Sequence, residues 1–302
     1  MRVLIVGIGS IAKKHIDALN EIIPKVEIFG LRNSQSSPKV EGVIDIYSWD
    51  QLPDNLDFII ISNPTSEHYQ TLQNAIKCNL PLIIEKPPLA NLDGAEELIR
   101  ELELNNILNY VAFPLRFNPV IQWLKHNLPQ KNIYELNAYC GSYLPDWRPN
   151  VNYRQVYSAN KEMGGGVHLD LIHELDYVTW LLGSPVSSSS FLSKVSKLEI
   201  DSIDCAHYWL SYADKNASIT LNYYRRDASR EVAIVMEDGT WKANLLTNEV
   251  TDSSNNIIFK SEPSLKSMYY HQMRYFIDCV KKNKQPFNSF KESIETLRIC
   301  LS

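Results

Sequence analysis

The sequence lacks the patterns that mark several classes of protein. Its five cysteines are scattered, and none of them forms a C-x-x-C pair. This spacing indicates neither a zinc site nor a disulfide framework and favours reduced thiols in a cytoplasmic protein. No apolar stretch is long enough to cross a bilayer, and a strand candidate begins at Met1. We therefore expect no membrane partner and no signal peptide.

An excess of positive charge is also missing. The chain has a formal net charge of −5 and a pI of about 5.8, and it contains no basic block or acidic tail. This argues against a nucleic-acid partner. The 302 residues are 44% hydrophobic and 22% charged, which is typical of a globular protein and long enough for two domains.

The most informative segment lies at the N-terminus. Met1–Val6 is a short apolar run, Gly7-Ile8-Gly9-Ser10-Ile11-Ala12 follows it, and a helical pattern comes next. A strand, a glycine turn and a helix together predict a dinucleotide site. Gly7 permits a tight turn, Gly9 leaves room for a phosphate, and Ala12 allows close helix–strand packing. The N–H groups at the helix start then face the anion. The alternative is a tight turn that binds nothing.

The pattern of elements changes near residue 117. Residues 1–117 alternate apolar strand candidates with helical patterns, which predicts a dinucleotide-binding Rossmann domain, a parallel sheet with helices on both faces. Residues 118–302 predict an α+β domain with a large, mostly antiparallel, open-faced sheet for substrate binding and oligomerisation. In that domain we expect one continuous helix over 167–182, a strand at 192–199 and a plain connection at the serine-rich stretch 185–190.

The end of the second predicted strand bears on the choice of cofactor. NAD-specific Rossmann folds place an acid there, whereas this chain has Leu31 followed by Arg32, Asn33 and Ser34. Arg32 could hold a 2′-phosphate through charge-assisted hydrogen bonds, so the sequence favours NADP, with NAD as the alternative. In that alternative Arg32 lies on the adenine or faces solvent.

Further motifs follow one another in a characteristic order. They are Asn63-Pro64-Thr65-Ser66-Glu67-His68, Glu85-Lys86-Pro87, Leu115-Arg116-Phe117-Asn118-Pro119, Gly164-Gly165-Gly166 and a helix with Asp170, His173 and Asp176. Together they resemble the glucose–fructose oxidoreductase/inositol dehydrogenase/MocA (Gfo/Idh/MocA) family over nearly the whole chain. The segments 141–159 and 164–177 are similar to a branch associated with acylamino-sugar and nonulosonate pathways.

The resemblance implies an NAD(P)-dependent oxidoreductase. Lys86 would then be the cation beside the reacting oxygen, at the carboxyl end of the fifth strand, although a solvated loop lysine is the alternative. Asn63, Pro64, Thr65, His68 and Glu85 would lie at the cofactor. His68 is also a candidate for the first residue of the next helix.

A histidine is the natural base for the hydroxyl proton, and His173 is the candidate here. It lies three residues from both Asp170 and Asp176, so either carboxylate could orient its imidazole on a continuous helix. The family pattern places the first Asp four residues before the His, which leaves the partner open. His168 is a competing base. A metal site formed by His168, Asp170 and His173 is disfavoured, because the two histidines lie about 140° apart around a helix.

Residues between the predicted sheet strand and the glycines are candidates for substrate binding. Arginines and aromatic rings suit a carboxylate, a phosphate or a polyol, and the alternative is a loop that packs on its own rings. These candidates are Trp147, Arg148, Tyr153, Arg154 and Tyr157, together with Arg116.

The first hypothesis is hydride transfer between nicotinamide and a hydroxyl or keto carbon of a sugar, a sugar acid or an acylamino or nucleotide sugar. The alternatives are a non-catalytic dinucleotide-binding sensor of the same fold and a reductase of a non-sugar substrate such as a linear tetrapyrrole or an imine. An open sheet face further predicts a homo-oligomer, a dimer or a tetramer.

Overall fold

The computed structural model describes residues 1–262 and 265–302. Within these ranges the chain forms two compact units. The first contains Met1–Pro114 and Leu265–Glu295, and the second contains the described residues of Leu115–Ser264 together with Thr296–Ser302. No helix in this described part is long and apolar enough to span a membrane.

The strands and helices follow the order expected from the sequence at most positions. The strands are β1 (Arg2–Val6), β2 (Glu27–Leu31), β3 (Val43–Ile46), β4 (Phe58–Ile61), β5 (Leu82–Glu85), β6 (Asn109–Ala112), β7 (Ile133–Gly141), β8 (Ser187–Ser193), β9 (Cys205–Ser211), β10 (Asn216–Asn222), β11 (Ser229–Met236), β12 (Gly239–Asn244), β13 (Glu249–Thr251) and β14 (Ile257–Lys260). The helices are α1 (Ser10–Ile22), α2 (His68–Ile76), α3 (Ala95–Leu104), α4 (Pro119–Asn127), α5 (Val167–Asp170), α6 (His173–Leu182), α7 (Leu265–Lys281) and α8 (Phe290–Leu301).

The described residues of the first unit contain a six-stranded parallel sheet in the order β3-β2-β1-β4-β5-β6. This is the strand order of a doubly wound dinucleotide-binding fold. Val3, Leu4 and Ile5 of β1 are fully buried, as expected for a strand covered on both faces. The predicted Rossmann architecture is confirmed.

Helix α7 packs within the first unit, although the sequence boundary near residue 117 assigns it to the second domain. Its Met273 and Phe276 are fully buried, and the Phe276 ring meets Phe58 of β4 edge-on at 5.3 Å. Tyr110 of β6 donates a hydrogen bond to Gln272 at 3.2 Å. An apolar helix can return to an earlier sheet from any distance along the chain, and local patterns do not reveal this.

The described residues of the second unit contain an eight-stranded sheet in the order β14-β13-β12-β11-β7-β10-β9-β8. Only β7 and β10 pair in parallel; the other neighbours recorded in this sheet are antiparallel. Helices α5 and α6 contact β7, β9 and β10 on one face. The opposite face exposes large rings such as Phe191 and Trp209. The predicted mostly antiparallel, open-faced sheet is confirmed.

Three local predictions for this unit are wrong. The strand expected at 192–199 is displaced toward the N-terminus, because β8 ends at Ser193 and residues 194–199 form no strand. The serine-rich stretch is not a plain connection, because Ser187–Ser193 forms the edge strand β8, paired with β9 from Ser187↔Ser211 onward. An edge strand tolerates polar side chains that face water, so its sequence does not show the apolar alternation of an inner strand. The predicted helix over 167–182 is also interrupted at residues 171–172, between α5 and α6.

Candidate active site

The glycine turn connects β1 to α1 through a close backbone approach. Gly7 has a φ of +81°, and a Cβ at this position would lie 2.5 Å from Cα of Asn63. Gly7 N–H donates to Leu31 O at 3.0 Å, and the Ser62 hydroxyl donates to Gly7 O at 2.8 Å. Only glycine suits this position, because both the backbone angle and the contact exclude a side chain.

Gly9 is a glycine for a different reason. Apart from Gly9 itself and its two chain neighbours, no described protein atom lies within 4 Å of the place where its Cβ would be. Gly9 is also the N-cap of α1, and its position provides no side-chain cap for the first N–H groups. Ser10 and Ile11 begin the helix, and Ala12 behind them is fully buried. The open space in front of a helix N-terminus fits the diphosphate of a dinucleotide.

Asn63 follows β4 beside this turn, and its side chain is held in place. Its Nδ2 donates to Thr71 Oγ1 at 2.8 Å and to Glu67 Oε2 at 3.1 Å. Its Oδ1 is buried and has no hydrogen-bond partner among the described residues. Pro64 and Thr65 lead from Asn63 into a short 3-10 helix. The contacts expected between this segment and the cofactor stay predictions.

His68 is the first residue of α2, as the sequence indicated, and it is almost completely buried. Its Nδ1 lies 3.2 Å from Pro88 O and its Nε2 lies 3.1 Å from Asn63 O. The imidazole therefore joins the loop after β4 to the loop after β5. Burial lowers the pKa of His68, although both carbonyl groups favour its charged form.

Lys86 lies directly after β5, beside a buried acid. Glu85 ends the strand, and its Oε1 lies 2.7 Å from Nε2 of the fully buried His15 on α1. The backbone N–H of Lys86 donates to Oε2 of Glu85 at 3.3 Å. The peptide bond between Lys86 and Pro87 is cis. Strand β5 thus brings Lys86 to the carboxyl edge of the sheet, where open α/β sheets bind ligands.

The NADP interpretation required a free Arg32 guanidinium, and in the structure this guanidinium is paired. It forms an ion pair with Asp45 of β3, and the Arg32 side chain is 5% exposed. Asn33 and Ser34, which follow it, are exposed. The reason for favouring NADP was a free arginine, and Asp45 removes that reason. The carboxylate was missed because it lies thirteen residues further along the chain.

In the second unit, Gly164–Gly166 precede helix α5 and pack closely against backbone carbonyl groups of the preceding loop. Gly164 and Gly166 have φ values of +84° and +133°. A Cβ on Gly165 would lie 2.1 Å from Tyr157 O and 2.6 Å from Asn160 O. The three glycines therefore allow the backbone conformation and the close contacts that lead into α5.

The helix interruption separates the two predicted carboxylates. Asp170 ends α5, whereas His173 begins α6 and Asp176 lies in its first turn. The Asp170 carboxylate accepts hydrogen bonds from the hydroxyls of Tyr157 and Tyr223, both at 2.5 Å. Burial and the Asp170 charge raise the pKa of both tyrosines. Which carboxylate orients His173 stays a prediction.

Asp176 is held by Arg116 in a buried two-pronged ion pair. Arg116 Nε lies 2.9 Å from Asp176 Oδ2, and Arg116 Nη2 lies 2.7 Å from Asp176 Oδ1. The guanidinium also lies over the Trp180 ring at 5.3 Å. A fork of this kind fixes the orientation of both side chains.

The predicted substrate residues form two groups. Trp147 donates from Nε1 to Ser142 Oγ at 2.8 Å, and Arg148 lies over the Tyr157 ring at 5.5 Å. Arg154 instead forms an exposed ion pair with Glu199 and lies over the Tyr153 ring at 4.8 Å. The first group adjoins Asp170 through Tyr157, whereas the second packs on itself.

A buried polar cluster beside His173 was missed by the sequence analysis. Glu174 is fully buried and accepts from Arg230 Nε of β11 at 2.6 Å. Burial and the neighbouring Glu174 raise the pKa of Cys140 to about 12, so this thiol stays protonated. A charged residue amid the apolar positions of β11 was the available signal, since buried charges are usually paired.

His168, the competing base, is buried on α5. Burial lowers its pKa to about 4, so the ring is neutral at neutral pH. Its Nδ1 has no hydrogen-bond partner among the described residues. The described ranges contain no group of three or more His, Cys, Asp or Glu residues arranged to hold a metal ion.

A doubly wound sheet with a glycine turn, joined in sequence to an open-faced α+β unit, defines a class of dinucleotide-dependent enzymes. Residues 1–113 match the model described as "Oxidoreductase family, NAD-binding Rossmann fold", and residues 125–300 match "Oxidoreductase family, C-terminal alpha/beta domain". The chain belongs to this family, Gfo/Idh/MocA, and the resemblance inferred from its motifs is confirmed.

Several characterised proteins are similar over nearly the full length. A scyllo-inositol 2-dehydrogenase (NAD(+)) of Bacillus subtilis is 23% identical over 309 residues, covering 95% of this chain and 88% of that protein. The UDP-N-acetylglucosamine 3-dehydrogenase GnnA from Acidithiobacillus ferrooxidans superposes with a TM-score of 0.81 at 19% identity. The match covers 100% of this chain and 95% of that protein. The WlbA dehydrogenase from Bordetella pertussis, solved with NADH and UDP-GlcNAcA, superposes with a TM-score of 0.80 at 18% identity. The match covers 98% of this chain and 92% of that protein. The structural likenesses support the fold.

Proposed function

We propose that this oxidoreductase transfers a hydride between a nicotinamide dinucleotide and a hydroxyl or keto carbon of a sugar, a sugar acid or an acylamino or nucleotide sugar. The observation that carries the proposal is the pairing of an open Gly9 with a Gly7 that allows no side chain, in the unit that also presents Lys86 after β5. The substrate class is supported by the similarity of the chain to inositol and UDP-sugar dehydrogenases.

We propose that Lys86 supplies the cation at the reacting oxygen. When a hydroxyl carbon gives up a hydride, its oxygen loses a proton and passes through a state with negative charge. An ammonium group beside that oxygen stabilises this state in both directions of the reaction. The bound nicotinamide supplies the hydride acceptor or donor, and the residues of this chain hold and move the proton.

We propose that His173 is the base that takes the hydroxyl proton. An imidazole titrates near neutrality and can return the same proton in the reverse reaction. Asp170 and Asp176 are candidates to orient it. Of the two, Asp176 is held rigidly by Arg116, and this favours a positioning role for the pair.

We propose that Arg148, Trp147 and Tyr157 contact the substrate. Arg116 is a weaker candidate for this contact, because Asp176 already engages its buried guanidinium. An arginine over a tyrosine ring leaves guanidinium donors for a carboxylate or phosphate. Tyr153 and Arg154 remain weaker candidates, because Glu199 already engages the Arg154 guanidinium.

For the cofactor, we propose NAD(H) rather than the NADP that the sequence favoured. Arg32 is engaged by Asp45, and a neutral pair offers little to a 2′-phosphate. The WlbA structure to which this chain is similar contains NADH, which agrees with this choice.

The test is a turnover assay on the purified full chain, which follows the absorbance of reduced nicotinamide. The panel contains inositols, acylamino sugars, UDP-sugars and their keto forms, with imines and linear tetrapyrroles as non-sugar arms. Lys86→Ala is expected to lower kcat/KM by a factor of about 10²–10³. Lys77→Ala, which removes an exposed lysine after α2, is the matched control.

His173→Asn is expected to remove the pH dependence contributed by the base, with His126→Asn as the control for an exposed histidine of the same unit. Full turnover by Lys86→Ala contradicts the proposed mechanism. Binding of NADH without turnover on any arm supports the sensor alternative instead.

We also propose a cytoplasmic homodimer formed through the open sheet face. The five cysteines are free thiols, which agrees with a reducing compartment. Trp209 is 48% exposed on this face, and a second copy would cover it. Light scattering at micromolar concentration is expected to give a dimer mass that Trp209→Glu reduces. Leu104→Glu, which changes an exposed residue of the first unit, is expected to leave the mass unchanged.

A further inference from the structure

Arg32 and Asp45 meet at one edge of the six-stranded sheet. Strand β2 pairs with β3 from Ile28↔Val43 to Leu31↔Ile46, with Gly30 opposite Asp45. The backbone N–H of Arg32 then donates to Ile46 O at 3.0 Å. Both side chains therefore lie at the carboxyl ends of these strands, where a Rossmann fold places the adenosine ribose.

The pair is buried and leaves one donor unused. The Arg32 and Asp45 side chains are 5% and 11% exposed, and Arg32 Nε donates to Asp45 Oδ1. Arg32 Nη2 is also buried, and it has no hydrogen-bond partner within the described ranges. A buried donor without an acceptor is rare in native proteins, so an acceptor from a ligand or an ordered water is expected here.

We propose that Asp45 is the residue that makes this chain prefer NAD(H) to NADP(H), and that it acts through Arg32. The inference rests on the proposed function, because it requires a nicotinamide dinucleotide at the glycine turn. Without Asp45, Arg32 would be a charged fork suited to a 2′-phosphate. With Asp45, the pair is neutral overall, and a phosphate drawn to the guanidinium lies close to a carboxylate of the same sign.

NAD(H) has a hydroxyl in place of the 2′-phosphate and meets no such repulsion at this position. A ribose 2′-hydroxyl can accept the hydrogen bond that Arg32 Nη2 offers, and this donor needs no change in the ion pair. Asp45 thus favours NAD(H), as the acid after β2 does in other Rossmann folds. It differs from that acid because it belongs to β3 and acts by pairing with the Arg32 guanidinium.

Other groups near this edge offer no equivalent. Asn33 and Ser34 are exposed and uncharged, and the Ser34 hydroxyl lies 2.7 Å from that of Ser36. The next cation along the chain is Lys39, which is exposed. Lys39→Ala therefore serves as the variant that detects a phosphate contact made elsewhere in this loop.

The experiment measures the dissociation constants of NADH and NADPH by fluorescence titration of the full chain at low ionic strength. The wild type is expected to bind NADH more tightly. Asp45→Asn is expected to shift the NADPH-to-NADH affinity ratio toward NADPH by at least about ten-fold, equivalent to about 1.4 kcal/mol. Adding salt is expected to reduce that gain, because it depends on charge.

Three controls isolate the cause. Asp17→Asn makes the same charge change at an exposed position of α1 and is expected to leave the ratio unchanged. The double variant Arg32→Gln/Asp45→Asn is expected to lose only the part of the gain that depends on the arginine. It should still accept NADPH better than the wild type does, because the carboxylate that repels the phosphate is absent. Asp45→Ser repeats the test with a smaller side chain, and thermal unfolding shows which variants are folded.

The outcomes separate the two proposals. A wild type that binds neither cofactor contradicts the proposed function itself. A wild type that binds NADPH as tightly as NADH, or a folded Asp45→Asn or Asp45→Ser with an unchanged ratio, overturns the inference about Asp45. Should neither single variant fold, a double variant that rejects NADPH as strongly as the wild type overturns it too. If the NADPH-to-NADH affinity ratio changes only in Lys39→Ala, the choice of cofactor depends on that lysine. This result also overturns the inference about Asp45.

Discussion

His15 Nε2 lies 2.7 Å from Glu85 Oε1, and this hydrogen bond joins α1 to the end of β5. The His15 side chain is fully buried and that of Glu85 is 7% exposed. Because Glu85 also accepts from the backbone N–H of Lys86, one carboxylate links the helix of the glycine turn to the turn that carries the proposed catalytic lysine. Its geometry therefore bears on the positions proposed for both the cofactor and the substrate.

The first prediction concerns this link. His15→Leu removes the donor and leaves a buried carboxylate oxygen unpaired, which is expected to lower the free energy of unfolding by about 1–3 kcal/mol. His15→Gln retains an N–H donor and is expected to recover part of the loss. Urea denaturation measures the change, and His126→Leu, at an exposed position, is the control. Equal stability of the wild type and His15→Leu would show that the hydrogen bond contributes nothing.

The second prediction separates two glycines of one turn. Gly7→Ala places a Cβ 2.5 Å from Asn63 Cα at a φ of +81°, so it is expected to destabilise the fold by more than about 1 kcal/mol. Apart from its two chain neighbours, Gly9→Ala meets no described atom within 4 Å and has an ordinary φ of −93°, so its stability is expected to be near that of the wild type.

The same Gly9→Ala protein is expected to bind NADH at least about ten-fold more weakly, because the new methyl group occupies the proposed diphosphate position. Thermal unfolding and fluorescence titration measure the two effects on one sample. Wild-type affinity in Gly9→Ala is the result that contradicts a diphosphate at this turn.

The third prediction concerns the Arg116–Asp176 pair. Asp176→Asn leaves a buried guanidinium without its counter-charge and is expected to cost about 3–5 kcal/mol of unfolding free energy. Arg116→Lys keeps the charge but loses the two-pronged geometry, so a smaller loss is expected. Arg225→Lys, which alters a partly exposed arginine paired with Asp227, is the matched control. Chemical denaturation is the measurement, and a loss in Arg116→Lys no larger than in the control contradicts the prediction.

The fourth prediction concerns pH. Burial lowers the pKa of His168 to about 4 in the folded state, below the ordinary value of 6.5. The unfolded chain therefore binds more protons between these values, and stability is fully present above pH 6.5 and falls as the pH drops toward about 4. The slope reaches up to roughly 1.4 kcal/mol per pH unit for this group.

His168→Gln is expected to flatten that part of the stability profile measured by denaturation at several pH values. His68, whose pKa is also lowered by burial, adds a decline of the same sign, so some slope remains. The exposed-site variant His271→Gln is expected to retain the wild-type slope. A steeper decline in His168→Gln than in the wild type would contradict the assignment.

Elements with a strong local pattern were predictable. The apolar run of β1, the glycine turn and helix α1 all appear where the sequence placed them. Helix α4 follows a short-range pattern of the same kind, with Pro119 as its first residue. Helix α4 also gains a cap, because Asn118 Oδ1 accepts from Val120 N–H at 2.9 Å. In each case the deciding interactions are made within a few residues.

Elements whose pattern depends on their neighbours were not predictable. The serines of β8 are stable as a strand because β9 supplies the hydrogen bonds along one edge. The break between α5 and α6 interrupts a sequence with a continuous helical pattern, and the Asp170 carboxylate at its end binds two distant tyrosine hydroxyls. Tyr223 lies 53 residues from Asp170, so no local signal connects them.

The order of apolar runs, the glycine turn and the family motifs were legible in the amino-acid sequence, because they depend on short-range backbone preferences and on the identity of single residues. The partners of the charged side chains were decided only by the tertiary structure. His15 finds Glu85 seventy residues away, and Arg32 finds Asp45 on a neighbouring strand. These pairings affect stability because the side chains are buried. A charge removed from water destabilises the fold unless the tertiary structure places an opposite charge beside it.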